Sequence, residues 1–117
     1  MKTKTSTLTD AALDWAVAKC KGLMPWTFPG KPHVYVGYGG HKQAPRFSTD
    51  WSQGGPIIER ERIQAHPHSG DNGWQATKIS GANIWYEHGP TPLIAAMRCY
   101  VASKLGNEIA VPEELVC

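Results

Sequence analysis

Thr91–Gly106 reads TPLIAAMRCYVASKLG and sets the longest regular element of the chain. Threonine is a favoured N-cap because its hydroxyl accepts a backbone N–H of the first turn, and Pro92 falls at the first helical position, where no N–H is needed. Leu93, Met97, Val101 and Leu105 then recur every four residues with Ile94, Ala96 and Tyr100 beside them, and Gly106 supplies the stop. The spacing predicts a helix over 92–105. Working outward, Trp74–Ser80 alternates as a strand does, and Gly81-Ala82-Asn83 turns the chain toward a shorter strand over 84–87, which would close a hairpin. Near the other end, Leu8, Ala11, Ala12, Trp15, Ala16 and Lys19 recur at helical spacing and predict a helix over 8–21. Thr7 with Asp10 resembles a capping box, Thr9 competes as N-cap, and Gly22 sits where a left-handed stop is expected. His33–Tyr38 carries β-branched and aromatic residues suited to a strand, whereas 39–45 and 66–73 read as exposed loops. The tail over 109–115 reads as extended, with a turn starting at Pro112.

These elements place the chain in the α+β class. A short antiparallel sheet of two to four strands, drawn from 33–38, 74–80 and 84–87, packs against two main helices, with long loops between. The 117 residues, 41% hydrophobic and 19% charged, suit one domain over 1–117.

Ser48–Ile63 reads STDWSQGGPIIERERI and is the second informative stretch. Ser48 or Thr49 can cap a short helical turn, Gly54-Gly55 would end it, and Pro56 would open a second short helix through Arg62. Asp50 and Trp51 set an indole beside a carboxylate and two hydroxyls, the combination a stacked aromatic ligand requires. Gly54 and Gly55 would bare the backbone to an anion, and Arg60 would neutralise its charge. The blander account also holds: Trp51 as core, Asp50 as turn acceptor, the glycines as helix stop, and Glu59-Arg60-Glu61-Arg62 as a solvated face.

The formal charge of +2 gives little global pull toward nucleic acid or an anionic bilayer, and no apolar run is long enough to span a membrane. Cys20, Cys99 and Cys117 are scattered and odd in number, which suggests free thiols in a reducing compartment. The start of the chain lacks a secretory-signal pattern, so a soluble intracellular protein is expected. Gly37-x-Gly39-Gly40-x-Lys42 follows a strand without matching a phosphate-loop pattern. His66 and His68 supply only part of a coordination shell, so no metal is expected. No nucleophile–base pairing or elbow motif argues for catalysis, so neither an enzyme nor a cofactor is expected.

The opening MKTKTS with LDWAVA at 13–18, the central STDWSQGGPIIERERI and TPLIAAMRCYVASKLG together resemble the NinX-like family of small proteins of lambda-like bacteriophages. The resemblance skips about 22–46 and 64–88. It implies a phage accessory protein acting in the host cytoplasm. With the residues above, the leading expectation is a non-enzymatic protein that binds a small anionic, nucleotide-derived ligand through Ser48, Thr49, Asp50, Trp51, Gly54, Gly55 and Arg60, countering host defence signalling. One alternative is a nucleic-acid accessory in recombination or replication, with Lys42, Arg46, Arg60 and Arg62 on phosphates. Another is an inhibitor of a host protein. So small a chain is also open to homo-oligomerisation.

Overall fold

A computed structural model describes residues 2–28, 30, 33–38, 41–70 and 73–115. In chain order the elements are β1 (Lys2–Lys4), a 3-10 turn at Thr5–Thr7, α1 (Asp10–Cys20), β2 (Val36–Tyr38), β3 (His41–Gln43) and α2 (Trp51–Glu61). There follow β4 (Gln64–Pro67), β5 (Trp74–Ser80), β6 (Asn83–Gly89), α3 (Pro92–Leu105), β7 (Glu108–Ala110) and a 3-10 turn at Glu113–Leu115. All strand pairings are antiparallel, and the fold is α+β.

The helix α3 is the hub. Its residues Leu93 to Ala102 are buried without a break, as expected of a helix that is apolar on most sides. It packs on the sheet β4-β5-β6 and also touches α1 and α2. Thr91 Oγ1 accepts the Ile94 N–H at 3.1 Å, and Pro92 opens the helix, as the sequence predicts. Gly89 ends β6 where a Cβ would lie 2.7 Å from Ala95 N, so the absent side chain lets strand and helix approach. Arg98 survives burial because its guanidinium satisfies two carbonyls: Nε donates to Leu8 O and Nη1 to His88 O, each at 2.8 Å.

Several local expectations change. The two short helices over 48–62 are one continuous helix, α2, running through Gly54-Gly55 with Pro56 inside it. Its N-cap is Asp50, and its C-cap is Arg62 in the left-handed region at φ 54°. The glycines fail to stop it because Gly54 is needed for packing: a Cβ there would collide with Phe47 O and Leu93 Cδ1. Pro56 removes one helical N–H, and burial of Ile57 offsets the loss.

The segment His41–Gln43, expected as loop, pairs with β2 in the register Val36↔Gln43 and Tyr38↔His41; Gly39 and Gly40 lie outside the described residues. This hairpin stands apart from the sheet, so 33–38 does not join β5 and β6. Tyr35 instead forms an isolated bridge with Trp26. Gln64–Pro67, also expected as loop in part, is the edge strand β4, and Pro67 sits at its end, where a missing N–H is tolerated. The start of the chain pairs with the tail, β1 with β7, setting Lys4 opposite Glu108. Buried Thr5 reinforces that closure by donating Oγ1 to Gly106 O at 2.7 Å. Helix α1 begins at Asp10 behind Thr9; the capping box is not formed, since Thr7 Oγ1 donates to Lys4 O at 2.8 Å instead.

Candidate functional site

The start of α2 distributes the sequence-predicted residues among different tasks. Asp50 Oδ1 accepts the Ser52 hydroxyl at 2.6 Å and the Ser52 N–H at 2.9 Å, an N-cap arrangement. The Ser52 hydroxyl, and then its N–H, hold the Asp50 carboxyl below its usual range. Trp51 is 54% exposed, so it is not core. Gly54 is filled on its open side by Phe47 and Leu93 and offers no backbone to a ligand. Gly55, inside the helix, faces the Trp51 ring, with 3.8 Å between a built Cβ and Cε3.

Arg60 lies nine residues beyond Trp51, roughly 13 Å along the axis and half a turn round it. It contacts Glu61 and the Tyr100 hydroxyl, at 3.1 and 3.4 Å. The structure therefore does not bring Arg60 to Asp50-Trp51.

Ser48 and Thr49 belong to a different setting. Residues 44–49 and the N-terminal half of α1 enclose a cleft of about 220 Å³, lined by Asp10, Asp14, His33, Arg46, Thr49 and the apolar Val34 and Pro45. Asp14 is only 5% exposed, and its Oδ1 accepts the Ser48 N–H at 2.8 Å. Burial pushes the Asp14 carboxyl up from 3.8 to about 6, against the pull of the Ser48 N–H and hydroxyl. The nearby Asp10 charge adds to the rise, and Arg46 opposes it. The Ser48 hydroxyl itself is buried with no well-formed hydrogen bond. A carboxyl raised by burial to about 6 on the wall of a cleft is the kind of group around which polar ligands are received. Sequence reasoning missed Asp14, although a carboxylate between Leu13 and Val17 in an apolar helix was the available signal.

Asp14 makes a pH-dependent prediction. Its folded-state pKa lies above the ordinary 3.8, so the native state favours the protonated form. The associated stability is fully present below that value and is lost as pH rises through about 6. Asp14→Asn keeps an acceptor for the Ser48 N–H while removing the charge. Thermal melts should show the variant more stable by up to about 3 kcal/mol above pH 7 and close to wild type near pH 4. Equal melting differences at both pH values would refute the burial argument.

Other reactive groups are muted. Burial, the largest influence on each, pushes the Cys20 and Cys99 thiols up to about 12, so neither is a ready nucleophile at neutral pH. His68 and His88 rings lie 4.6 Å apart, and among the described residues no group of three or more His, Cys, Asp or Glu side chains converges as a metal site would require. Among the described residues, no helix is long and apolar enough to cross a membrane.

The fold and its cleft define a small α+β domain. A phage protein from Bacillus cereus ATCC 14579, known from a 2.0 Å crystal structure, superposes with a TM-score of 0.62 over 84% of this chain and 95% of that one, at 12% identity. The model for the bacteriophage P22 NinX family matches residues 4–104, and the chain belongs to that family. No curated protein matches it.

Proposed function

We propose that this NinX-family protein is a non-enzymatic phage accessory that binds a small nucleotide-derived ligand in the cleft between α1 and residues 44–49, withholding it from a host signalling system in the host cytoplasm. The observation that carries the reading is the buried Asp14 carboxyl on the cleft wall, whose only well-formed hydrogen bond among the described residues comes from the Ser48 N–H. Asp14 is left half-ionised near pH 6, where an Asn would serve the same backbone N–H without the cost of a buried charge. A group that lowers stability at neutral pH is expected where binding uses it.

The cleft, at about 220 Å³, is smaller than the roughly 300 Å³ lower bound for drug-sized pockets, and suits one nucleobase with the rest of the ligand in solvent. In this reading Asp14 receives the polar edge of the base, Ser48 holds Asp14 from behind, Thr49 adds a hydroxyl, and Arg46 and His33 face the attached phosphates. Binding needs no chemistry from the protein, and none of these residues forms a nucleophile–base pair.

The test is mass spectrometry of small molecules released from protein purified out of phage-infected cells, followed by thermal shift with the compound found. A ligand at a hundred times its Kd should stabilise by about 2.7 kcal/mol. Asp14→Asn and Arg46→Ala should each abolish most of that gain. Recovery of no small molecule, or stabilisation unchanged in both variants, would defeat the proposal.

A further inference from the structure

The C-terminal ends of α2 and α3 and the strand β5 bring three cations to a single carboxylate, Glu61, and Lys21 from the end of α1 lies near the Arg60 charge. Lys21 follows α1, Arg60 and Glu61 close α2, Lys104 stands on the last turn of α3, and buried Lys78 rises from β5. Glu61 Oε1 accepts from Lys78 Nζ at 2.7 Å and lies 3.6 Å from Lys104 Nζ, while Oε2 is 3.1 Å from Arg60 Nε. Both carboxylate oxygens are thus engaged. The Lys21 ammonium lies 5.0 Å over the Phe47 ring, and its pKa is lowered first by burial and then by the Arg60 charge.

Taken together the cluster carries three positive charges in excess, in a chain whose formal net charge is +2. The remainder of the chain therefore sums to a formal charge of −1. The three helix ends contribute roughly half a negative charge each, which offsets about half of the surplus. The rest is uncompensated, and the Arg60 and Lys104 side chains are 55% and 43% exposed, open to an incoming anion.

We propose that Lys21, Arg60 and Lys104 form an anion site above Glu61 and Tyr100, and that its ligand is a small molecule carrying a di- or triphosphate group. Guanidinium geometry suits phosphate oxygens, and two ammonium groups add charge without dictating direction. The cations come from three separate helices and form a compact cluster, whereas a nucleic-acid strand is tracked by a groove of successive contacts. The site is independent of the cleft: Lys21 lies seven residues beyond Asp14, about 10 Å along α1.

Titration calorimetry of the full chain with inorganic pyrophosphate at low ionic strength tests this. Saturable binding is expected, with Arg60→Gln and Lys104→Gln each weakening it at least tenfold. Asp14→Asn in the cleft and Arg62→Gln at the neighbouring exposed position should leave it unchanged, which separates failure of this site from failure of the cleft. Absence of saturable binding at millimolar pyrophosphate overturns the proposal. So does an equal loss in Arg62→Gln, which would indicate diffuse charge, or tighter binding of a single-stranded oligonucleotide than of pyrophosphate, which would indicate a strand-tracking surface.

Discussion

Replacing Gly54 by alanine is expected to destabilise the domain by about 3 kcal/mol or more, although the same change in an ordinary helix interior stabilises by up to ~1 kcal/mol. The sign reverses because the new methyl would meet Phe47 O and, at 2.5 Å, Leu93 Cδ1. A leucine side chain can rotate away, but a backbone carbonyl cannot yield without moving the segment that leads into α2. Overpacking of that kind typically costs ~1–3 kcal/mol, and here it is added to a helix already short of one hydrogen bond at Pro56. The adjacent Gly55→Ala is the internal control. Its Cβ meets only Trp51 Cε3, at 3.8 Å, an ordinary contact, so the helix-propensity gain should appear. Urea melts of the two variants should therefore move in opposite directions; parallel shifts would mean that Gly54 is not held against Phe47 and Leu93.

Glu61→Gln is expected to cost a further large amount, about 3 kcal/mol at neutral pH, because it leaves the buried Lys78 ammonium without a counter-charge. Burial alone would push the Glu61 carboxyl up, yet hydrogen bonds from Lys78 and Arg60, with the charges of Lys78 and Lys104, hold it below its ordinary value of 4.5. A depressed carboxylate contributes stability that is present above that ordinary value and is lost as pH falls through the folded-state value. The gap between wild type and Glu61→Gln should therefore close in acid. Adding Lys78→Met to Glu61→Gln removes the orphaned charge and should recover most of the loss, since apolar replacement of a buried pair is often neutral. A double variant as unstable as Glu61→Gln alone would show that the pair is not the origin of the effect.

The two pH dependences run in opposite directions. Asp14 favours acid and Glu61 favours neutrality, so each single variant isolates one limb of the stability curve.

Legibility in the sequence followed the range of the forces. Helix α3 was readable to its ends because Thr91, Pro92 and Gly106 act within a turn of where they stand. Strand β5 was readable for the same reason, its alternation being a local pattern with one face on α3. The edge strand β4 was not, since Gln64, His66 and Pro67 acquire strand geometry from pairing with β5 rather than from their own preferences. The cap expected at Ser48 or Thr49 falls on Asp50. Of the proposed binding residues, Asp50 was legible as an acceptor for backbone N–H groups and Trp51 as an aromatic group. Their separation from Arg60 depended on knowing that α2 does not break at Gly54-Gly55.

By itself, then, the sequence determined the family, the α+β class and the elements whose caps and periodicity act over a few residues. Only the tertiary structure decided that Gly54 belongs inside a helix, that Asp14 is buried beside Ser48, and that two helix ends and a strand gather their cations around Glu61. The reason is common to all three. A steric vacancy, a desolvated carboxyl and a charge cluster are each created by residues distant in the chain, and no local pattern records which of them will meet.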